Sequence, residues 1–133
     1  MSDPVREYLR NKGCAQHVID RGLQGLVRDW EKTVESIEQG YKLGLDDYLN
    51  DMDGRQLIEE TLAIDRGANA SRHRERVRRA DEHLRKLVTP VARSLWGDEA
   101  AVEHGWSAER NWWYFSEPKT AGPELLEDLK RRK

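Results

Sequence analysis

Three glutamates of the N-terminal half, Glu31, Glu35 and Glu38, follow the spacing E-x-x-x-E-x-x-E. On a helix, side chains three and four positions apart lie on one face, here within roughly 60° of one another. Carboxylate oxygens are the ligands that Mg²⁺ prefers in enzymes acting on phosphates. The spacing therefore raises the hypothesis of a metal site, and the alternative is an ordinary solvated helix face.

This spacing resembles the first half of the metal motif in the all-α nucleotide pyrophosphohydrolases of the MazG type. That family completes its site with an E-x-x-D pair on the next helix. The present chain offers only the run NDMD at 50–53, or Glu59 and Glu60, and neither has that pattern. The resemblance implies a Mg²⁺-dependent hydrolase of nucleotides or related phosphates, with these ligands: Glu31, Glu35, Glu38 and either Asp53 or Glu60.

A second acidic segment, DDYLNDMDG at 46–54, superficially resembles a calcium-binding loop. If Gly54 is placed at the invariant glycine, Leu49 falls on the first position, where an oxygen ligand is required. We therefore interpret the segment as an acidic turn followed by a helix over 54–64, with Asp53 as its N-cap. The carboxylates of this turn belong to Asp46, Asp47, Asp51 and Asp53.

The run RHRERVRRADEHLRK at 72–86 holds seven Lys or Arg residues and three acids. On a helix the arginines do not share one face, and pairs such as Glu75–Arg79 have the favourable i,i+4 order. Phosphate binding would require a one-sided cluster. We therefore interpret the run as a solvated, salt-bridged helix face, on which the acidic turn docks, and we do not expect nucleic acid to bind it.

Histidine and cysteine add no recognisable site. Cys14 and His17 have the spacing of half a zinc pair, but the chain has no second cysteine. His73, His83 and His104 have no i,i+4 partner, and His73 falls on an apolar stripe, which is typical of a packed core histidine. The phosphate-binding loop, the dinucleotide fingerprint and the nucleophile elbow are also absent from the sequence.

The C-terminal part is rich in aromatic residues, since four of the five tryptophans lie within 96–113. The run WWYF at 112–115 is strand-like in composition and could be extended. An extended run would place Trp113 and Phe115 on one face, where they would either pack in the core or contact a partner. The candidate interaction residues are Trp106, Trp113 and Phe115, with a charged rim formed by Arg72, Arg76 and Arg79.

The elements that position these residues are helical. Apolar residues at spacings of three and four predict a long amphipathic helix over 16–40, which Gly40 ends, with Gly22 on the edge of its stripe. A second helix is predicted to begin at Asn69 or Ser71, and its stripe continues to Leu95 with a kink or break at Pro90. Shorter helices are expected over 4–12 and after Pro123.

The composition limits the classes of protein that remain. Charged residues make up 36% of the 133 residues, yet the net charge is only −2 because an acidic first half offsets a basic second half. No apolar run approaches the roughly 18 residues that span a bilayer, and the N-terminus lacks the apolar core of a signal peptide. A single cysteine suits a reducing compartment, so we expect a cytoplasmic protein that binds no membrane.

These observations predict an all-α protein, a bundle of four to five helices with a short aromatic C-terminal segment. We expect one domain over 1–133, with the bundle in 1–95 and a Trp-rich lid and final helix in 96–133. The leading hypothesis is a non-enzymatic binding or interaction protein, with a protein partner or a second copy of itself and no cofactor. The alternatives are the Mg²⁺-dependent hydrolase and an antitoxin- or immunity-like inhibitor whose acidic turn occludes a basic site.

Overall fold

The structure, a computed structural model, describes residues 3–132. Helices dominate this part of the chain and confirm the all-α class, with six α-helices where four or five were predicted. A short 3₁₀ helix, Trp112–Tyr114, lies between the fifth and sixth. The elements in chain order are α1 (Pro4–Asn11), α2 (Gln16–Glu38), α3 (Leu45–Leu62), α4 (Ala70–Leu87), β1 (Val88–Pro90), α5 (Asp98–His104), β2 (Ser116–Pro118) and α6 (Pro123–Arg132).

The predicted long helix over 16–40 forms as α2, but it is interrupted at Gly22. This residue has φ 62° and ψ −157°, a conformation that is essentially open to glycine alone. The guanidinium of Arg6 in α1 lies against Gly22 and donates a hydrogen bond of 3.0 Å to the carbonyl of Asp20. Gly40 follows the helix with φ 88°, in agreement with its predicted role as terminator.

The prediction for 41–64 is wrong in its boundaries. Helix α3 begins at Leu45 and continues without a break to Leu62, so Asp53 lies in mid-helix and caps nothing. Acidic residues in the first turn, Asp46 and Asp47, complement the N-terminal end of the helix dipole. Because Tyr48 and Met52 are fully buried in the same turns, packing holds this acidic segment in a helix.

The C-terminal part also differs from its prediction. Helix α4 starts after Asn69 as expected, but it ends at Leu87 and the chain turns into β1, so Pro90 lies in a strand. Strand β1 pairs antiparallel with β2, with Thr89 opposite Glu117. The run 112–115 is not extended: its first three residues form the 3₁₀ helix, and the strand begins at Ser116.

The core lies between α2 and the helices that pack on it, α1, α3 and α4, while α6 packs on α3. Aromatic side chains of the C-terminal part complete it, which matches a chain poor in aliphatic residues. Within residues 3–132, no helix is both long enough and apolar enough to cross a membrane. The largest fully buried side chains are Trp113, Tyr41, Tyr48, Tyr114, Leu9, Ile37, Met52, Ile58, Leu84 and Leu125.

A charged side chain, Arg55 of α3, lies inside this core with 5% of its surface exposed. Its guanidinium donates hydrogen bonds of 3.1 and 2.8 Å to the two carboxylate oxygens of Asp81 in α4. It also stacks on the ring of Trp113 at 4.2 Å, and the indole N–H of Trp30 in α2 donates to Asp81 at 2.9 Å. One buried ion pair therefore joins α2, α3, α4 and the 3₁₀ helix.

We expect Gly22→Ala to destabilise the protein by about 1–3 kcal/mol, because alanine is strained at this φ and ψ. The added Cβ itself would meet only ordinary contacts with Arg6 at 3.6 Å, so the cost comes from the backbone. Urea unfolding measures it. Gly54→Ala, in the helical interior of α3 with open space around its Cβ, is the control and should stabilise by up to about 1 kcal/mol.

Asp81→Ala should destabilise the protein by about 3 kcal/mol, because it leaves the Arg55 guanidinium buried without its counter-ion. The matched control is Glu59→Ala, which removes the other carboxylate on Arg55. That pair is half exposed on the Glu59 side, so its loss should cost less than about 1 kcal/mol. Equal losses of unfolding free energy in the two variants would contradict the role given to Asp81.

Candidate functional site

A cleft of about 540 Å³ opens between α3, α5 and the aromatic C-terminal part. Its volume lies in the range of pockets that bind small molecules. The lining combines two carboxylates and one ammonium with aromatic and small apolar side chains. It is formed by Lys12, Cys14, Asp53, Gln56, Leu57, Glu60, Trp96, Ala100, His104, Trp106 and Tyr114.

Helix α3 supplies the polar side of the cleft. Asp53, Gln56, Leu57 and Glu60 are spaced three, one and three residues apart, which places them on one face of the helix. At 1.5 Å per residue, Asp53 and Glu60 are separated by about 10 Å along the helix axis. The cleft therefore has two acidic ends, each with its own set of partners.

At the first end, Asp53 receives two hydrogen bonds on the same oxygen. The indole N–H of Trp96 donates to Oδ1 at 3.0 Å, and the hydroxyl of Tyr114 donates to it at 2.7 Å. Burial raises the pKa of Tyr114 above its ordinary value and the hydrogen bond to Asp53 raises it further, so the hydroxyl stays a donor. Within residues 3–132, no side chain donates to Oδ2 and no cation pairs with Asp53.

At the second end, Glu60 is surrounded by donors. The hydroxyl of Tyr8 and the ammonium of Lys12, at 3.3 Å, both contact Oε1, and the amide of Gln56 donates to Oε2 at 3.0 Å. Asn111 holds that amide in place by donating to its oxygen at 3.0 Å. Burial acts to raise the pKa of Glu60, but these donors outweigh it and hold the pKa below its ordinary value.

The aromatic wall is a stack of three rings. The centroid of Trp106 lies 4.0 Å from that of Tyr114 and 4.6 Å from that of His104, with interplanar angles near 20°. Two rings therefore stack on Trp106, which is partly buried. Trp96 is different, since 45% of its surface is exposed beside Asp53.

Backbone hydrogen bonds fix Trp96 in this position. The N–H of Leu95 donates to the carbonyl of Tyr114 at 2.8 Å, and the N–H of Val91 donates to the carbonyl of Phe115 at 2.9 Å. The segment 91–95 is thus pinned to the end of the 3₁₀ helix. Trp96 and Tyr114 therefore reach the same carboxylate oxygen although 18 residues of sequence separate them.

The three glutamates of the metal hypothesis lie in a different groove, between α2 and α4. Glu31 forms a bidentate ion pair with Arg76, whose hydrogen bond is the main reason why the pKa of Glu31 is lowered. Glu38 contacts His83 at 2.6 Å. Asp53 and Glu60 line the aromatic cleft instead, so the structure does not bring the five proposed ligands together.

The metal hypothesis also concerns the other acidic, histidine and cysteine side chains. Among the described residues, no group of three or more His, Cys, Asp or Glu side chains is arranged to hold a metal ion. In the segment that resembled a calcium loop, Asp51 accepts a hydrogen bond of 2.6 Å from Tyr41. Burial raises the pKa of Asp51 above its ordinary value. Asp51 and Asp53 therefore have different partners, Tyr41 for the first and Trp96 and Tyr114 for the second, and do not converge on one site.

The predicted docking of the acidic turn on the arginines of α4 is wrong. Between residues 46–53 and 72–86 of the described chain, no ion pair is formed. Arg76 pairs with Glu31 of α2, and Arg79 pairs with Glu75 of its own helix at 3.0 Å, as the i,i+4 order predicted. Arg72 is exposed. The proposed charged rim therefore does not border the aromatic cleft.

The aromatic interaction candidates are mostly internal. Trp113 is 1% exposed and Phe115 is 8% exposed, so both pack in the core, which was one of the two interpretations of this run. Trp106 is partly buried in the ring stack. The large exposed aromatic residue is Trp96, which the sequence did not single out. The sequence held only a weak signal that Trp96 is exposed: it directly follows Leu95, the last residue of the predicted apolar stripe, and precedes a glycine.

We expect the loss of stability in acid to be smaller in Glu60→Gln than in the wild type. Because the pKa of Glu60 is lowered in the folded state, its contribution is present above the unfolded value near 4.5 and is lost as the pH falls through the folded value. Urea unfolding at about pH 6 and about pH 3 measures the difference. Tyr8→Phe should remove part of the same dependence, and identical pH profiles in all three proteins would contradict the assignment.

Comparisons of this chain with known protein families, with curated proteins and with solved structures found no match. In the groove between α2 and α4, Glu31 is paired with Arg76 and Glu38 contacts His83. The aromatic cleft combines an exposed indole with a carboxylate that has no counter-ion.

Proposed function

We propose that this protein is a small-molecule binding protein and that the aromatic cleft is its ligand site. The observation that carries the proposal is the arrangement at Asp53, where two donors hold one oxygen in place and the other oxygen faces no donor of the described chain. Such an oriented polar group in a largely apolar cleft is typical of sites that fix the orientation of a ligand.

The rigidity of the surroundings supports the proposal. Tyr114 is fully buried, Trp106 stacks on two rings, and the Asn111–Gln56–Glu60 chain of hydrogen bonds fixes the polar wall. Side chains whose rotamers are held before binding lose little entropy when a ligand arrives. The cleft is therefore preorganised, which favours specific binding of a small molecule.

Binding is preferred to metal-dependent hydrolysis on geometric grounds. A hydrolase of nucleotides would need several carboxylates converging on one ion. Glu31 and Glu38 instead contact Arg76 and His83, and Asp53 and Glu60 line the other groove. Trp113 and Phe115 are not available as anchors for a partner, because both side chains are buried.

A thermal-shift screen of a metabolite collection tests the proposal with two tryptophan variants of α5. Ala100→Trp fills the cleft, whereas Val102→Trp changes a residue of the same helix that is 83% exposed and lies outside the cleft lining. A compound present at a hundred times its dissociation constant should stabilise the wild type by about 2.7 kcal/mol.

We expect at least one compound to raise the melting temperature of the wild type and of Val102→Trp, but not that of Ala100→Trp. Circular dichroism checks that both variants are folded. A compound that stabilises all three proteins equally binds elsewhere and counts against the cleft. A screen without any stabilising compound contradicts the proposal.

A further inference from the structure

We propose that the ligand of the aromatic cleft is a small organic amine, cationic at neutral pH, whose ammonium binds Oδ2 of Asp53 and whose apolar part packs on Trp96. The inference rests on the proposed function, because it names the chemical class for the same cleft. Three features carry it: the charge of Asp53, the pairing at the opposite end of the cleft, and the exposed indole.

The first feature is the charge that Asp53 brings into the cleft. Its two hydrogen bonds both come from neutral donors, Trp96 and Tyr114, and both go to Oδ1. Within residues 3–132, no lysine, arginine or histidine pairs with it. A partly buried carboxylate without a counter-ion favours a positively charged ligand, since the low local dielectric strengthens the attraction.

The second feature is found at Glu60, where the chain supplies such a group itself. The ammonium of Lys12 lies 3.3 Å from Glu60 and 5.9 Å from the centre of the Tyr8 ring, so a carboxylate and an aromatic ring hold a cation together. At the other end of α3's polar stripe, Asp53 and Trp96 provide the same two components without the cation. An amine at Asp53 would repeat the arrangement seen at Glu60.

The third feature is the exposed ring of Trp96. Its N–H is anchored on Oδ1 of Asp53 at 3.0 Å, which places the indole beside the carboxylate, and 45% of the residue is exposed. Trp106 is partly buried and stacks on His104 and Tyr114, so Trp96, which is more exposed, is the tryptophan of the cleft that can receive a ligand. Cations and apolar groups both bind favourably against an indole.

The donor set points to an organic cation and not to a metal ion. Ca²⁺ and Mg²⁺ take six or more oxygen ligands, whereas Asp53 offers one oxygen that is free of donors. An anionic ligand is disfavoured as well, because the cleft lining holds the two carboxylates of Asp53 and Glu60 and the single ammonium of Lys12, which Glu60 already binds.

The experiment compares three probes with the same phenyl group: phenethylamine, which is cationic, phenethyl alcohol, which is neutral, and hydrocinnamate, which is anionic. Each is titrated into the full-length protein by isothermal titration calorimetry in phosphate buffer, since Tris is itself an amine. We expect saturable one-to-one binding of phenethylamine. The alcohol and the anion should bind at least about tenfold more weakly, because each lacks the charge-assisted hydrogen bond.

Asp53→Asn is the decisive variant. Its amide oxygen can still accept from Trp96 and Tyr114, while its NH₂ replaces the free acceptor Oδ2, so the protein should fold and lose at least about tenfold in affinity for phenethylamine. Asp46→Asn is the matched control on the same helix. It removes an exposed carboxylate of the first turn outside the cleft lining, and binding should be unchanged.

Trp96→Leu is the second variant, and it tests the inference if Asp53→Asn does not fold. It leaves Oδ2 of Asp53 unchanged. It should also weaken phenethylamine binding. If the alcohol or the anion binds as tightly as the amine, or if neither variant weakens amine binding, the inference is overturned while the cleft remains a ligand site. If none of the three probes binds the wild type, the inference is overturned, and a metabolite screen without hits overturns the proposed function separately.

Discussion

The structure depends on the ion pair between Arg55 and Asp81. Burying a guanidinium is costly unless its charge is balanced and its N–H groups are satisfied. The two oxygens of Asp81 balance the charge and accept two hydrogen bonds, and Glu59 accepts a third. Because Asp81 also accepts from Trp30, and Arg55 stacks on Trp113, the requirements of one charge fix the relative positions of three helices and the 3₁₀ helix. In a core with few aliphatic side chains, this ion pair is a contact that forms only when the three helices and the 3₁₀ helix are in one relative arrangement.

The cleft follows from that arrangement. Arg55 faces the core from α3, while residues on another face of the same helix, Asp53, Gln56 and Glu60, line the space between α3 and the C-terminal part. Trp113 on Arg55 anchors the 3₁₀ helix, and the next residue, Tyr114, then donates to Asp53. The hydrogen bonds of the cleft therefore depend on the ion pair of the core, and a disturbed Arg55 would misplace the ligand site.

The elements that sequence analysis predicted well are those with a single apolar stripe. Helices α2 and α4 carry their buried residues at regular spacing and face solvent on the other side, so their periodicity is readable. Helix α3 carries a short apolar stripe, Tyr48, Leu49 and Met52, but the acids between these residues and the buried Arg55 interrupt the pattern. The prediction that the run at 112–115 is extended was wrong because aromatic side chains can be buried from a 3₁₀ helix as well as from a strand.

The candidate site escaped prediction for a related physical reason. Asp53 and Trp96 are 43 residues apart, and their contact exists only because the segment 91–95 is hydrogen-bonded to the backbone of Tyr114 and Phe115. In the acidic motif at 31–38, Glu31 pairs with Arg76 of α4 and Glu38 contacts His83 of the same helix. In a chain with nearly equal numbers of acids and bases, spacing alone does not identify functional carboxylates. The informative property is the set of partners that the fold gives each carboxylate, and Asp53 differs in lying beside an exposed indole in the aromatic cleft.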